Sequence, residues 1–160
     1  MSHEIRTPLN GVIGFIDLLY KNEKDIKKRN KLQIVKESGV SLLSIINDIL
    51  DFSKIENNKL VLEKKPLLIS DLFIHTVELF FGVAKEKDIS IILTIDEKLP
   101  RKVLGDSTRI KQIFSNLLSN AIKFANSDSK IVVNISYLKE TEQLLCEIID
   151  EGIGIEAKQL

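Results

Sequence analysis

Apolar residues near the start of the chain recur in alternating steps of four and three: Ile5, Leu9, Val12, Ile16 and Leu19. That spacing is the seam of a coiled coil. The polar run KNEKD interrupts it. The pattern resumes with Val35, Leu42 and Ile49 seven apart, and Ile45 and Phe52 take the intermediate positions. Residues 1–56 therefore predict two long amphipathic helices joined by a short polar turn, an antiparallel hairpin. A lone hairpin leaves part of its apolar stripe bare. Pairing with a second copy, a homodimer built as a four-helix bundle, is the expected remedy.

After Glu56 the period changes. KLVLEKKP alternates and predicts a short strand ending at Pro66, and SDLFIHTVELFFGVAKEKD predicts a helix opened by a Ser-Asp cap. ISIILTID reads as a strand and LPRKVLGD as a second extended piece closing at Gly105. STRIKQIFSNLLSNAIKFA predicts a helix with Ile110, Ile113, Leu117 and Ala121 as its apolar face. KIVVNISYL and QLLCEIID predict a strand pair joined by KETE, and a further helix is expected to begin within EGIGIEAKQL. Helices interleaved with strands suggest an α+β layer with the helices on one face of a sheet.

Composition narrows the classes. Lysines plus arginines number 23 and aspartates plus glutamates 23, so the formal net charge is zero. A protein that coats nucleic acid or an anionic membrane by bulk charge is not expected from that balance. The single cysteine, Cys146, lies in the apolar run LLCEII and reads as a core thiol. It points to a reducing, cytoplasmic setting. No apolar run approaches the ~20 residues of a membrane span. Met1 directly precedes a dense motif, so we expect the chain to be cut from something longer. Any membrane contact would then come through upstream segments of the parent.

The motif at the start, SHEIRTPLNGVIGF, places His3 off the predicted seam, with Thr7 one turn along on the same side and Glu4 beside it. An imidazole with a pKa near ~6.5 is largely unprotonated at neutral pH and nucleophilic. A neighbouring carboxylate can take the proton on Nδ1 and leave the Nε2 lone pair to attack. Pro8 would free the Glu4 carbonyl and kink the helix. The residues alone leave a second reading open, in which Thr7 is an N-cap, Pro8 opens the helix, and residues 1–6 are a frayed leader.

A second group lies late in the chain. Asn116 and Asn120 share a helix face that Lys123 continues. An amide oxygen suits Mg²⁺ and an ammonium suits phosphate, although an Asn row taken alone is more often a solvated or capping feature. In DEGIGI a carboxylate, Asp150, ends a strand and could accept a hydrogen bond from an exocyclic amine. Gly152 and Gly154 let the backbone turn tightly beside a ligand. His75, within LFIHTVELF, reads as a structural residue.

SHEIRTPLNGVIGF and SLLSIINDILDFSKIENNKLVLE resemble the His-box and second helix of sensor histidine kinases, especially hybrid-type members of two-component signalling. NLLSNAIKF, led in by GDSTRIKQI and followed by DEGIGI, resembles the N-box and first glycine box of their ATP-binding domain. That domain is shared with gyrase-type topoisomerases and certain chaperones. The resemblance implies a dimerisation and phosphoacceptor domain at 1–58 and the first part of an ATP-binding α+β sandwich at 59–160. It implies that His3 is the phosphorylated residue, Glu4 its acid/base partner, and Thr7 a positioner of water for dephosphorylating a partner. It further implies Mg²⁺ on Asn120 supported by Asn116, Lys123 near the phosphates of ATP, Phe124 against adenine, and Asp150 on the adenine amine. Phe124 stands where the family commonly has tyrosine. The implied partners are nucleotide and a response-regulator receiver domain, with no nucleic acid. The family's lid, second glycine box and last strands do not follow DEGIGI here, so weak or no activity is expected of the chain alone. Two other readings are an ATPase of the same fold and a phosphoacceptor and docking module without ATP chemistry of its own.

Overall fold

A computed structural model describes residues 2–154, with side chains from residue 4 onward. The chain divides into two compact units, Met1–Val61 and Leu62–Leu160.

The first unit is the hairpin. Helix α1 spans Ser2–Asn22 and α2 spans Ile26–Glu56. The polar turn between them works as a start signal, because the Asp25 carboxylate accepts from the backbone N–H of Lys27 at 2.8 Å and of Lys28 at 3.3 Å. Two of the donors a helix start leaves unpaired are thereby satisfied. Because α1 already includes Ser2, the reading of Thr7 as an N-cap after a frayed leader is overturned. Pro8 lies inside the helix.

Within the hairpin the predicted seam splits. Leu9 and Ile16 are half-buried, together with Ile13, Leu43, Ile46 and Leu50. The remaining seam residues, among them Val12, Leu19, Val35, Leu42, Ile45, Ile49 and Phe52, stay exposed. No described residue of α2 is buried. The two helices approach closely at Gly39, where an added Cβ would stand 3.1 Å from Cγ1 of Ile13. Polar links cross between them: the Arg6 guanidinium donates to Asn47 at 2.8 Å, and Lys36 bridges to Asp17.

The second unit is an α+β layer. A two-stranded antiparallel ribbon pairs β1 (Lys65–Leu68) with β3 (Lys102–Gly105). A three-stranded sheet runs in the order β2 (Ser90–Ile95), β4 (Lys130–Leu138), β5 (Gln143–Asp150), parallel then antiparallel. The described helices of the unit are α3 (Ile69–Glu78), α4 (Phe81–Glu86) and α5 (Ser107–Phe124). Alternation along β4 turns Ile131, Val133 and Ile135 into a core with Phe73, Val77, Phe114 and Leu118. Phe73 meets Phe114 edge-to-face at 4.9 Å between ring centroids. Burying each ring stabilises by roughly 1.5–3 kcal/mol.

Three details differ from the sequence expectations. Residues 59–64 form no strand, and β1 starts at Lys65 with Pro66 inside it. Proline is tolerated there because a two-stranded ribbon has a free edge. The single helix expected over 70–88 is two, parted at Leu79 and Phe80, and α3 starts earlier, capped at Leu68 without a side-chain bond. The α5 core face is Phe114, Leu118, Ala121 and Ile122, whereas Ile113 and Leu117 are exposed. The side chain of His75, read above as structural, is 74% exposed and lies 3.1 Å from the Glu78 carboxylate one turn along. The expected helix after Gly154 lies outside the described residues.

Asp17 ties both hairpin helices together. Hydrogen bonds from Lys21 and Lys36 hold its carboxyl at about 2, below the ordinary 3.8. A depressed acid pKa gives stability that is present above the unfolded value and lost as pH falls through the folded one. Asp17→Asn is therefore expected to lower hairpin stability at neutral pH and to converge on the parent only as pH falls below about 2. Unfolding followed by circular dichroism across that range checks it. A constant gap down to the lowest pH would contradict the assignment.

Candidate nucleotide site

Helix α5 starts at Asp106, whose Oδ1 accepts from Arg109 N–H at 3.1 Å while Oδ2 accepts from Glu63 N–H at 3.1 Å. These bonds, led by the one from Glu63, hold the Asp106 carboxyl below its usual range. One carboxylate thus starts the helix and fastens the segment that leads into β1. At the other end, α5 meets the turn that follows β5. Ala125 and Gly152 form a bridge, Ile153 N–H reaches the Phe124 carbonyl at 3.4 Å, and Asn126 Nδ2 donates to the Glu151 carbonyl at 2.9 Å. The Asp150 carboxylate accepts from Gly152 N–H at 2.9 Å through Oδ1, so Oδ2 keeps capacity for another donor.

Between the helix and the turn lies a cleft of about 470 Å³, lined by Leu117, Asn120, Ala121, Phe124, Ile148, Asp150, Ile153 and Gly154. Its walls are mostly apolar, with one amide and one carboxylate, the composition of a site for a flat, partly polar ligand. Of the residues singled out in the sequence, Asn120, Phe124, Asp150 and Gly154 come together here. Gly152 contributes the backbone contact beneath it. Asn116 is exposed on α5 and does not line the cleft. Lys123 does not line it either, and its ammonium stands 5.0 Å from the Phe124 ring centroid. The sequence did not mark Leu117, Ala121, Ile148 and Ile153 as lining residues. Two signals point to two of them. Ile148 lies two before Asp150, hence on the same strand face, and Leu117 lies three before Asn120 on the helix.

In the hairpin, His3 lies in the first turn of α1, and its side chain is outside the described residues. Glu4 and Thr7 follow on the same helix, both exposed. Among the described residues, no group of three or more His, Cys, Asp or Glu side chains could hold a metal ion. Also among them, no helix is long and apolar enough to cross a membrane. Cys146 is half-buried against the core, and burial raises its thiol pKa.

A helical hairpin followed by an α+β unit with this cleft is the two-part build of a kinase core. Comparison with known proteins gives that build a family. Residues 1–58 match the His Kinase A (phospho-acceptor) domain, and residues 105–160 match the histidine kinase-, DNA gyrase B- and HSP90-like ATPase family. The sensor histidine kinase GacS of Pseudomonas protegens is 44% identical over 158 residues, which are 97% of this chain and 17% of that protein. The chain thus spans about a sixth of that curated relative. The crystal structure of full-length ShkA in complex with AMPPNP superposes with a TM-score of 0.79 at 32% identity, covering 98% of this chain and 33% of ShkA. Histidine kinase ThkA in complex with the response regulator protein TrrA gives a TM-score of 0.53 at 28% identity, over 86% of this chain and 40% of that one. The chain belongs to the sensor histidine kinases.

The seat of Gly152 leaves no room for a side chain. A Cβ there would stand 2.5 Å from the Phe124 carbonyl oxygen and 2.7 Å from Asp150 Oδ1. The first is backbone and cannot swing aside, so Gly152→Ala must push the turn off the helix. Urea unfolding is expected to show a loss of about 1–3 kcal/mol. Gly154 has open space but φ +67°, so Gly154→Ala is expected to cost about 1 kcal/mol through backbone strain alone. Equal, negligible losses at both positions would refute the close contact.

Proposed function

We propose that this chain is the catalytic core of a two-component histidine kinase, in which the γ-phosphoryl of Mg·ATP passes to His3 and then to an aspartate of a response-regulator receiver domain. The observation that carries this reading is the cleft that gathers Asn120, Phe124 and Asp150 between α5 and the Asp-Gly turn. In this reading residues 1–58 dimerise and accept phosphate, and residues 59–160 belong to the ATP-binding domain. The Asp150 carboxylate accepts from the adenine amine while Gly152 N–H steadies it. Phe124, Leu117 and Ile148 supply the apolar walls for the base.

Asn120 offers a hard amide oxygen to Mg²⁺. The rest of the metal's shell would come from phosphates and water, which is how Mg²⁺ is commonly held. Bound there, the metal would offset charge on the phosphates. Asn116 supports that site from the preceding turn, and Lys123 serves the phosphates. At His3, the ring nitrogen lone pair forms the bond to phosphorus as the bond to the ADP oxygen breaks. Glu4 takes the proton from the opposite ring nitrogen. Thr7 orients the water that removes phosphate from the regulator.

The hairpin's bare apolar face supports a homodimer. Val12, Leu42, Ile45 and Ile49 are each about half exposed in the single chain, a stripe that a second copy would cover. Light scattering at micromolar concentration is expected to give twice the 18.1 kDa chain mass. Ile45→Asp is expected to give the single mass or an unfolded hairpin, because the dimer would bury an unpaired charge. A single mass for the parent chain would remove the bundle.

Phosphoacceptor identity is tested in trans. Incubated with an intact kinase domain of the family and γ-labelled Mg·ATP, the chain is expected to acquire an acid-labile label that His3→Gln abolishes. Equal labelling of the variant would overturn the assignment. Calorimetric titration of nucleotide is expected to show binding that Asp150→Asn weakens by about tenfold or more, the cost of a lost charged hydrogen bond. Undiminished binding would move the nucleotide elsewhere.

A further inference from the structure

The last carbonyls of α5 can be accounted for one by one. The Ala121 carbonyl accepts from Ala125 N–H at 2.9 Å, and the Phe124 carbonyl accepts from Ile153 N–H. The two between them, on Ile122 and Lys123, accept from one ammonium: Lys87 Nζ lies 3.1 Å from the first and 3.3 Å from the second. Lys87 is far away in sequence, at the end of α4 just before β2. Its backbone N–H closes α4 on the carbonyls of Ala84 and Lys85, so its stem departs from a fixed point. A helix end leaves such carbonyls unsatisfied and carries about half a negative charge, and a cation placed there answers both.

We propose that Lys87 is a positioning residue for the nucleotide cleft. The inference rests on the proposed nucleotide reading of that cleft. The turn of helix that Lys87 caps is the one that presents Asn120, Lys123 and Phe124, and whose Phe124 carbonyl holds the Asp150–Gly154 turn. Without the ammonium, two adjacent carbonyls must find water, and the helix end opens where Ile153 leans on it. Lys87 does not line the cleft, so it acts through α5 and not on the ligand.

The test uses the full chain with ADP as the probe, binding followed by calorimetry or by NMR titration, and four proteins: parent, Lys87→Met, Lys87→Arg and Asp150→Asn. Methionine keeps the apolar stem and removes the charge, whereas arginine can donate to the same two carbonyls. Lys87→Met is expected to weaken ADP about tenfold, and Lys87→Arg to restore it to within about twofold. Amide exchange at Ala125 and Ile153, measured without nucleotide, is expected to speed up by about tenfold in Lys87→Met and to return in Lys87→Arg. Parent-like affinity in Lys87→Met, with Asp150→Asn weakened, would overturn the role of Lys87 and leave the nucleotide reading intact. Parent-like exchange at both amides, or no rescue by arginine, would overturn it as well. Parent-like affinity in Asp150→Asn would overturn the nucleotide reading, and this inference with it.

Discussion

Everything in the second unit that bears on a ligand depends on one backbone contact, the seating of Gly152 against the carbonyl of Phe124. The space left for a side chain at residue 152 is less than a carbon atom requires. That closeness lets Ala125 bridge Gly152 and lets Ile153 bond to the helix end. It brings Asp150, at the tip of β5, to the same opening as Asn120 and Phe124 on α5. The end of α5 and the end of β5 thus share a site because the residue that seats the following turn against the helix lacks a Cβ.

The two units solve burial differently. In the second, alternating residues of β4 and one face of α5 close over Phe73 and Phe114, and Leu118, Ile131 and Val133 lose essentially all their exposure. In the hairpin, two helices can cover only the strip where they touch, around Gly39 and Ile13. Its other apolar residues keep the heptad spacing but remain bare, which is the geometry expected of half a bundle. Ion pairs such as Lys36–Asp17 and Lys21–Asp17 fix how the helices meet. Lys21 is exposed and its pair contributes little alone, whereas Lys36–Asp17 is part-buried and links the two helices.

Much of this is legible in the sequence, for physical reasons that differ by element. The hairpin can be read because a seven-residue apolar repeat, sustained over many turns, keeps its residues in line only on a helix that has a helical neighbour. Asn120, Phe124 and Asp150 can be assembled because two motifs in the expected order constrain each other. Elsewhere the deciding partner is invisible in the local pattern. The alternation in KLVLEKKP looks like a strand, but a strand needs a partner, and β3 pairs only with residues from Lys65 onward. The apolar run on α5 reads as one face, yet neighbouring leucines diverge: Leu117 lines the cleft and Leu118 is wholly buried. His75 sits in an apolar stretch and still points to solvent, since a helix packed on one side exposes the residues on the other. Lys87 carries no signal at all, because its partners are backbone carbonyls and any sequence offers those.

The Lys87 cap matters for building a polyanion site at this end of a helix. Anions favour helix N-termini, and α5 presents its C-terminus beside the proposed nucleotide, the end with partial negative charge. Two cations counter that disadvantage from different sides. Lys87 lies directly on the exposed carbonyls and offsets their charge at the source. Lys123 stands 5.0 Å from the centroid of the Phe124 ring, within cation–π range, and that ring is part of the cleft wall. Division of labour follows from their anchoring. Lys87 is committed to two hydrogen bonds on the backbone and cannot leave without uncapping the helix. Lys123 is held by a ring contact alone among the contacts described, so in the proposed reading it is the cation left to serve the phosphates.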